Sequence, residues 1–295
     1  MDAKFLRSVL RRGLGARWYG YLAMRRAQLR DALAAIKSNV HARRVARVKR
    51  NMDSFLERPS VNRFYMAQSI PYLLDVKAEK RRVFDGLWAG YRNPSTHLRD
   101  PVRLVQLMAL LDIANAAPDG DYLEIGTHRG ESAKVIYTLM DPSRTMYCID
   151  TFEGFAESDL QAEKTVNPAS TWQVGNFIET SPEYVARYVG DGLPPANFRA
   201  IKGWFPQAYA GLEDCRWRFV HLDMDLYEPT RIAMEMLWPR LVPGGVMVFH
   251  DYDNVSFPGV KISVDNFFDK LGLKALPMGD LWGSAMIVKP RADAF

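Results

Sequence analysis

An α/β fold with a mostly parallel sheet is predicted for the chain beyond residue 120, on three observations. Strand-like and helix-like segments alternate from Tyr122 onward, which means a parallel sheet covered by helices on both faces. Two of the strand-like blocks, Val220-His-Leu-Asp-Met-Asp225 and Val246-Met-Val-Phe-His-Asp251, run apolar and then break into carboxylates. A glycine turn, Gly126 to Gly130, stands between a strand and a helix. In open α/β sheets ligands bind at the carboxyl ends of strands. Acidic groups delivered there by successive strands converge on one cleft and suit a hard cation or a general base.

The elements follow in order. Residues 100–117 read as a helix, because Pro101 suits a first turn and Leu104, Val105, Met108 and Leu111 recur at three- and four-residue steps. Residues 117–120, Ala-Pro-Asp-Gly, form a turn. Strands are expected at 122–126, 145–150, 198–202, 218–223 and 245–250, with helices at 131–139, 182–189, 229–238 and 260–271. Residues 273–277 and 284–288 make a closing pair, read as antiparallel. That gives about seven strands. Residues 155–181 are a long insertion in the position of an active-site lid, either with Trp172 and Phe177 as an aromatic wall for a sugar or ring system or as an ordinary covering loop.

Charge divides the chain differently. Residues 1–50 hold 14 Lys/Arg and 2 Asp/Glu, a net of +12, while the remainder holds 25 and 32, a net of −7. A basic, mainly helical arm over residues 1–98 is therefore expected ahead of a mildly acidic body over 99–295. In the arm, Leu29, Leu33, Ile36, Val40, Val48, Met52 and Phe55 recur at mostly helical steps. Such a helix packs on the body, pairs with a second copy in a homo-oligomer, or makes a peripheral contact with an anionic membrane. An Arg-rich, acid-poor start is also the composition of an organelle transit peptide. No run of about 18 apolar residues occurs, and Lys4 and Arg7 interrupt the start, so neither a membrane span nor a signal peptide is expected. The two cysteines, Cys148 and Cys215, cannot make a disulfide framework, which suggests a reducing, cytoplasmic setting.

The first candidate site takes a nucleotide-like cofactor. Gly126 and Gly130 let the backbone turn and approach a ligand closely. Glu124 can bond an ammonium or a hydroxyl. Asp150 ends the next strand at the place where an acid holds a ribose diol, or it caps a turn beginning at Thr151. The turn lacks the Gly-x-Gly-x-x-Gly pyrophosphate pattern, which argues against NAD.

Six motifs occur in order: Leu123-Glu-Ile-Gly-Thr127, Ile149-Asp-Thr-Phe-Glu-Gly-Phe155, Lys202-Gly-Trp-Phe-Pro206, Leu222-Asp-Met-Asp-Leu-Tyr-Glu-Pro-Thr230, Pro243-Gly-Gly-Val246 and His250-Asp-Tyr252. In combination the chain resembles the macrocin O-methyltransferase family over roughly residues 100–290. The resemblance implies a Rossmann-like class I methyltransferase sheet, mostly parallel with an antiparallel closing strand, and S-adenosyl-L-methionine as cofactor. It implies that Glu124, Gly126, Thr127, Gly130, Asp150 and Thr151 line that cofactor, with Gly203 and Trp204 near the adenine. The acceptor would be a hydroxyl of a saccharide or other small-molecule natural product.

The resemblance also implies a divalent metal, usually magnesium, at the acceptor hydroxyl. A coordinated cation stabilises a developing alkoxide, and a nearby carboxylate takes the proton. Asp223 matches the family's ligand on the fourth strand and is the candidate base. At the fifth strand the family carries two adjacent acids, whereas this chain has His250-Asp251. The metal set is thus Asp223, His250 and Asp251, and three roles stand open for His250: ligand of a softer metal, base, or mark of weakened metal binding. Asp225 is expected to orient its loop or cap the following helix. His221, inside a buried strand, is read as a satisfied core histidine, and His128 as structural. A hydrolase or oxygenase reusing the fold, and a non-catalytic or altered-metal body docked to a membrane or assembly by its arm, are the rival readings. No nucleic-acid partner is expected, because the body is net acidic and lacks an aromatic base-binding motif.

Overall fold

The computed structural model describes residues 78–90, 100–178 and 180–291. The helical arm expected over residues 29–55 and its membrane, oligomer or transit readings lie outside the described residues.

Two helices lead in, α1 (Ala78–Gly90) and α2 (Pro101–Asn115). Asp100 begins α2 as its cap, accepting from Val102 N–H at 3.0 Å and Arg103 N–H at 3.1 Å, which satisfies donors that every helix start leaves open. There follow β1 (Asp121–Ile125), α3 (Glu131–Leu139), β2 (Met146–Asp150), α4 (Glu157–Val166), α5 (Pro182–Val189), β3 (Phe198–Lys202), β4 (Trp217–Leu222), α6 (Tyr227–Leu237), β5 (Leu241–Phe249), α7 (Pro258–Asp269), β6 (Leu276–Pro277) and β7 (Ala285–Val288). The sheet runs β3-β2-β1-β4-β5-β7-β6. Its first five strands are parallel, and β7 is antiparallel to both neighbours. The order reverses between β1 and β4, which places the ligand crevice at their carboxyl ends.

Strand parity builds the core. Tyr122, Phe219, Val246 and Val248 face α2, α3 and α5, together with Phe84 and Leu87 of α1. Leu123, Ile125, Val220, Leu222, Met247 and Phe249 face α6 and α7. Each fully buried side chain of this size contributes roughly 1.5–3 kcal/mol. Glu124 and His221 lie opposite each other in the β1–β4 register, on the α2 face.

Most boundaries shift by one to three residues, and three differences from the sequence expectation have a clear physical cause. β5 starts at Leu241 because Pro243-Gly244 forms an irregularity, with Gly244 at φ +81°, rather than a strand break. α6 starts at Tyr227, since Pro229 in a first turn removes only an N–H that has no helical partner anyway. The insertion contains α4, whose signal is weak because Leu160 and Glu163 are its only buried residues. No described helix is long and apolar enough to cross a membrane.

Candidate active site

The turn after β1 rests directly on the end of β4. Gly126 has φ +85°, and a Cβ there would lie 1.7 Å from the backbone oxygen of Asp223, so only glycine fits. Asp223 N–H donates to Ile125 O at 2.9 Å. The glycine turn thereby fixes the first residue of the loop after β4.

Asp150 ties that turn to β2. Its Oδ2 accepts from His128 N–H and its Oδ1 from Phe152 N–H, both at 2.7 Å. Each oxygen keeps a further lone pair for a diol. Thr151 Oγ1 donates to Gly154 O at 2.8 Å and shapes the turn below. Gly203 N–H donates to Asp150 O at 2.9 Å, so the β3 loop carrying Trp204 joins the same edge. Gly130 at φ +82° opens α3, and Thr127 is buried beside it. The structure thus brings together Gly126, Thr127, Gly130, Asp150, Thr151, Gly203 and Trp204 at the carboxyl edge of β1–β3.

Glu124 is held in the sheet. It is fully buried, with Oε1 2.9 Å from His221 Nδ1 and Oε2 3.9 Å from the Cys148 thiol. Strand parity places it on the α2 face, opposite His221. Burial, and next the Glu124 charge, push the Cys148 thiol well up, so it stays an inert thiol. His221 is the paired core histidine that its strand implies, with Nε2 3.4 Å from Arg103 Nη2.

The second group sits at the ends of β4 and β5. His250 Nδ1 stands 2.9 Å from Asp223 Oδ1 and 2.8 Å from Asp251 Oδ2. Arg103 Nη2 lies 3.9 Å from Asp223 Oδ2. Asn254 Nδ2 donates to Asp251 Oδ1, and the Trp282 ring lies 5.8 Å from that of His250. Asp225 and Asp251 adopt φ +63° and +58°, a strained state for residues with a side chain and typical of functional loops.

Electrostatics separate the roles. Burial raises the Asp223 carboxyl, but the His250 and Arg103 charges outweigh it and hold it below its ordinary range. Burial and Arg103 lower His250, yet Asp223 and Asp251 outweigh them and push it up to about 10. Burial, then the charges of Asp223 and Asp251, drive Asp225 well up. Of the two roles expected for Asp225, orienting its loop or capping the next helix, the cap is not taken. α6 has Leu226 at its cap with no side-chain bond, and the Asp225 carboxyl belongs to the acid cluster.

The donor set fits a metal. One atom each from Asp223, His250 and Asp251 lies within 4.8 Å of the others. The 2.8 and 2.9 Å nitrogen–oxygen separations are those of hydrogen bonds from a protonated His250, and a metal held there would take that proton's place. Two carboxylates with one imidazole favour a softer ion than magnesium.

Macrocin-O-methyltransferase (TylF) is the family whose profile matches residues 96–286. The chain belongs to this family. Two curated relatives from the same chemistry align with it. One is the 8-demethyl-8-(2,3-dimethoxy-alpha-L-rhamnosyl)-tetracenomycin-C 4'-O-methyltransferase of Streptomyces olivaceus, 31% identical over 145 residues, or 48% of this chain and 55% of the relative. Another is the demethyldecarbamoylnovobiocin O-methyltransferase of Streptomyces niveus, 24% identical over 166 residues, or 55% and 62%. The chain thus spans little more than half the length of these relatives. Two solved structures share the fold. The O-methyltransferase NovP superposes with TM-score 0.52 at 22% identity, covering 65% of this chain and 81% of NovP. CalS11, a calicheamicin methyltransferase, gives 0.56 at 18%, covering 79% and 93%.

As a member of the macrocin-O-methyltransferase family, the chain has side chains at its site that sequence reading missed. Arg103 reads only as part of an amphipathic helix, and no spacing links it to Asp223. A signal for the Glu124–His221 pair did exist, as each is a polar ionisable residue set among buried apolar ones toward the carboxyl end of its strand.

Proposed function

We propose that the protein is an S-adenosyl-L-methionine-dependent O-methyltransferase acting on a hydroxyl of a sugar or natural product. The observation that carries this is the meeting, at one sheet edge, of the Asp150-held glycine turn and the Asp223–His250–Asp251 cluster, within a chain of this family. The relatives act on a rhamnosyl tetracenomycin and a novobiocin precursor by name, which supports a glycosylated or aromatic natural-product acceptor.

S-adenosyl-L-methionine supplies an electrophilic methyl on a sulfonium. Asp150 would hold its ribose diol, and the turn from Gly126 to Gly130 would take the amino-acid end. Asp223, His250 and Asp251 would hold a divalent metal, magnesium or a softer ion, which lowers the cost of charge on the acceptor oxygen. Asp223 stays ionised, and Arg103 fixes its second oxygen. Asp223, ionised and at the end of β4, is the candidate to take the proton of the acceptor hydroxyl, the role the sequence gave to it or to His250. Burial and the Asp223 and Asp251 charges keep the Asp225 carboxyl protonated. The acceptor O–H would lose its proton to Asp223 as its oxygen takes the sulfonium methyl, with neutral S-adenosylhomocysteine as the leaving group.

Calorimetry with S-adenosylhomocysteine, followed by methyl transfer to a panel of glycosides and sugar nucleotides, tests this reading. One binding site and transfer to at least one hydroxyl acceptor are expected. Absence of S-adenosylhomocysteine binding contradicts it.

A further inference from the structure

Glu163 is a buried carboxylate with no role in the scheme above. It lies on α4, inside the insertion, and is fully buried. Among the described residues no Lys or Arg pairs with it. Its Oε2 accepts from Tyr227 N–H at 2.9 Å, and its Oε1 from Asn167 Nδ2 at 3.3 Å. Tyr227 is the first residue of α6, a helix without a side-chain cap of its own. The second residue of α7, Gly259, lies against the same carboxylate, since a Cβ there would come 2.1 Å from Oε2. Two helix N-termini therefore converge on one anion, and their partial positive charge compensates it in place of a basic side chain. Ser263 Oγ donates to Tyr227 O at 2.7 Å and ties the two helices together.

A second tether comes from the same insertion. Trp172 stacks on Phe257 with ring centroids 4.7 Å apart and an angle of 9°. Its Nε1–H donates to Ser256 O at 3.1 Å. Ser256 N–H in turn donates to Asn254 Oδ1 at 3.0 Å, and Asn254 Nδ2 bonds Asp251. Glu163 thus reaches the loop after β4, four residues beyond Asp223. Trp172 reaches the loop after β5 that carries Asp251.

We propose that the insertion is a brace for the catalytic loops as well as a cover for the acceptor, with Glu163 as a positioning residue that caps α6 from outside and so sets Asp223 and Asp225. Without it the first N–H of α6 is a buried donor with no partner, and the strained Asp225 backbone loses its anchor. The cation arm of the test below rests on the metal reading proposed above, and the exchange arm does not.

The experiment compares the full-length wild type with Glu163→Leu, Glu163→Gln and Trp172→Phe. It measures hydrogen exchange in peptides covering 223–230 and 250–257, Co2+ affinity, and S-adenosylhomocysteine affinity. Leu removes the acceptor atom at similar volume, and Gln keeps it. Glu163→Leu is expected to speed exchange in 223–230 about tenfold or more and weaken Co2+ about tenfold. S-adenosylhomocysteine affinity, set by β1–β3, should stay within about threefold, and Glu163→Gln, which keeps one acceptor oxygen without the charge, should fall between wild type and Glu163→Leu. Trp172→Phe is expected to speed exchange in 250–257 alone. Unchanged exchange in 223–230 in Glu163→Leu overturns the proposal, and so does a Glu163→Gln variant as impaired as Leu. If Glu163→Leu does not fold, Trp172→Phe decides, and unchanged exchange in 250–257 overturns the brace. A wild type that binds no Co2+ refutes only the metal reading, and the exchange arm still decides this one.

Discussion

The two halves of the sheet edge are built by different means. At β1–β3 the work is done by backbone: a glycine at φ +85°, two N–H groups on Asp150 and one carbonyl accepting from Gly203. At β4–β5 it is done by side-chain charge. The charges gathered there shift the proton affinities of Asp223, Asp225 and His250, on loops with two left-handed aspartates. A cofactor of fixed shape needs a rigid cradle, whereas a hydroxyl that must lose a proton needs a field. The halves meet where Gly126 lies on the Asp223 carbonyl.

That junction is where the largest effect is expected. Gly126→Ala would force a Cβ to 1.7 Å from the Asp223 oxygen at a φ that alanine disfavours. It should cost about 4 kcal/mol or more and lower Tm by roughly 10 °C. Thermal denaturation checks this, and a shift of only a degree or two means the two halves are not joined as described. Asp223→Ala comes next. It should weaken cation binding roughly 100-fold or more while S-adenosylhomocysteine affinity holds within about threefold. Asp150→Ala should do the reverse, losing about tenfold for S-adenosylhomocysteine, because the glycine turn loses its anchor, with cation affinity unchanged. Paired calorimetric titrations read both, and parallel losses in either variant would erase the distinction between the halves. The smallest change is His250→Asp, an all-oxygen set. It should tighten magnesium and weaken Co2+, moving their affinity ratio by about tenfold. A ratio that does not move means that His250 touches no ion.

The same division explains what the sequence could tell. The cradle is legible because backbone demands leave residue signatures: glycine after a strand, and an acid at the next strand end about twenty residues on. The sheet itself was legible from alternation. Its seven strands, antiparallel β7 and most helices appear where expected. The partner of Glu124 was not legible, because a strand-end motif does not state which face a side chain takes, and the face follows only from the pairing with His221. Arg103 and Glu163 were not legible at all. Each reaches the site from a distant segment, through a helix whose own pattern reads as ordinary. The charge field at Asp225 depends on both neighbours being present in three dimensions, so sequence reading offered only a loop-orienting or capping role.

The most direct test of a cradle beside a charged acceptor site is one crystal grown with S-adenosylhomocysteine and Co2+ and examined by anomalous diffraction. The account predicts S-adenosylhomocysteine with its ribose on Asp150, and one anomalous peak bonded to Asp223, His250 Nδ1 and Asp251. S-adenosylhomocysteine bound elsewhere, or a cradle filled as described with no peak among those three side chains, contradicts it.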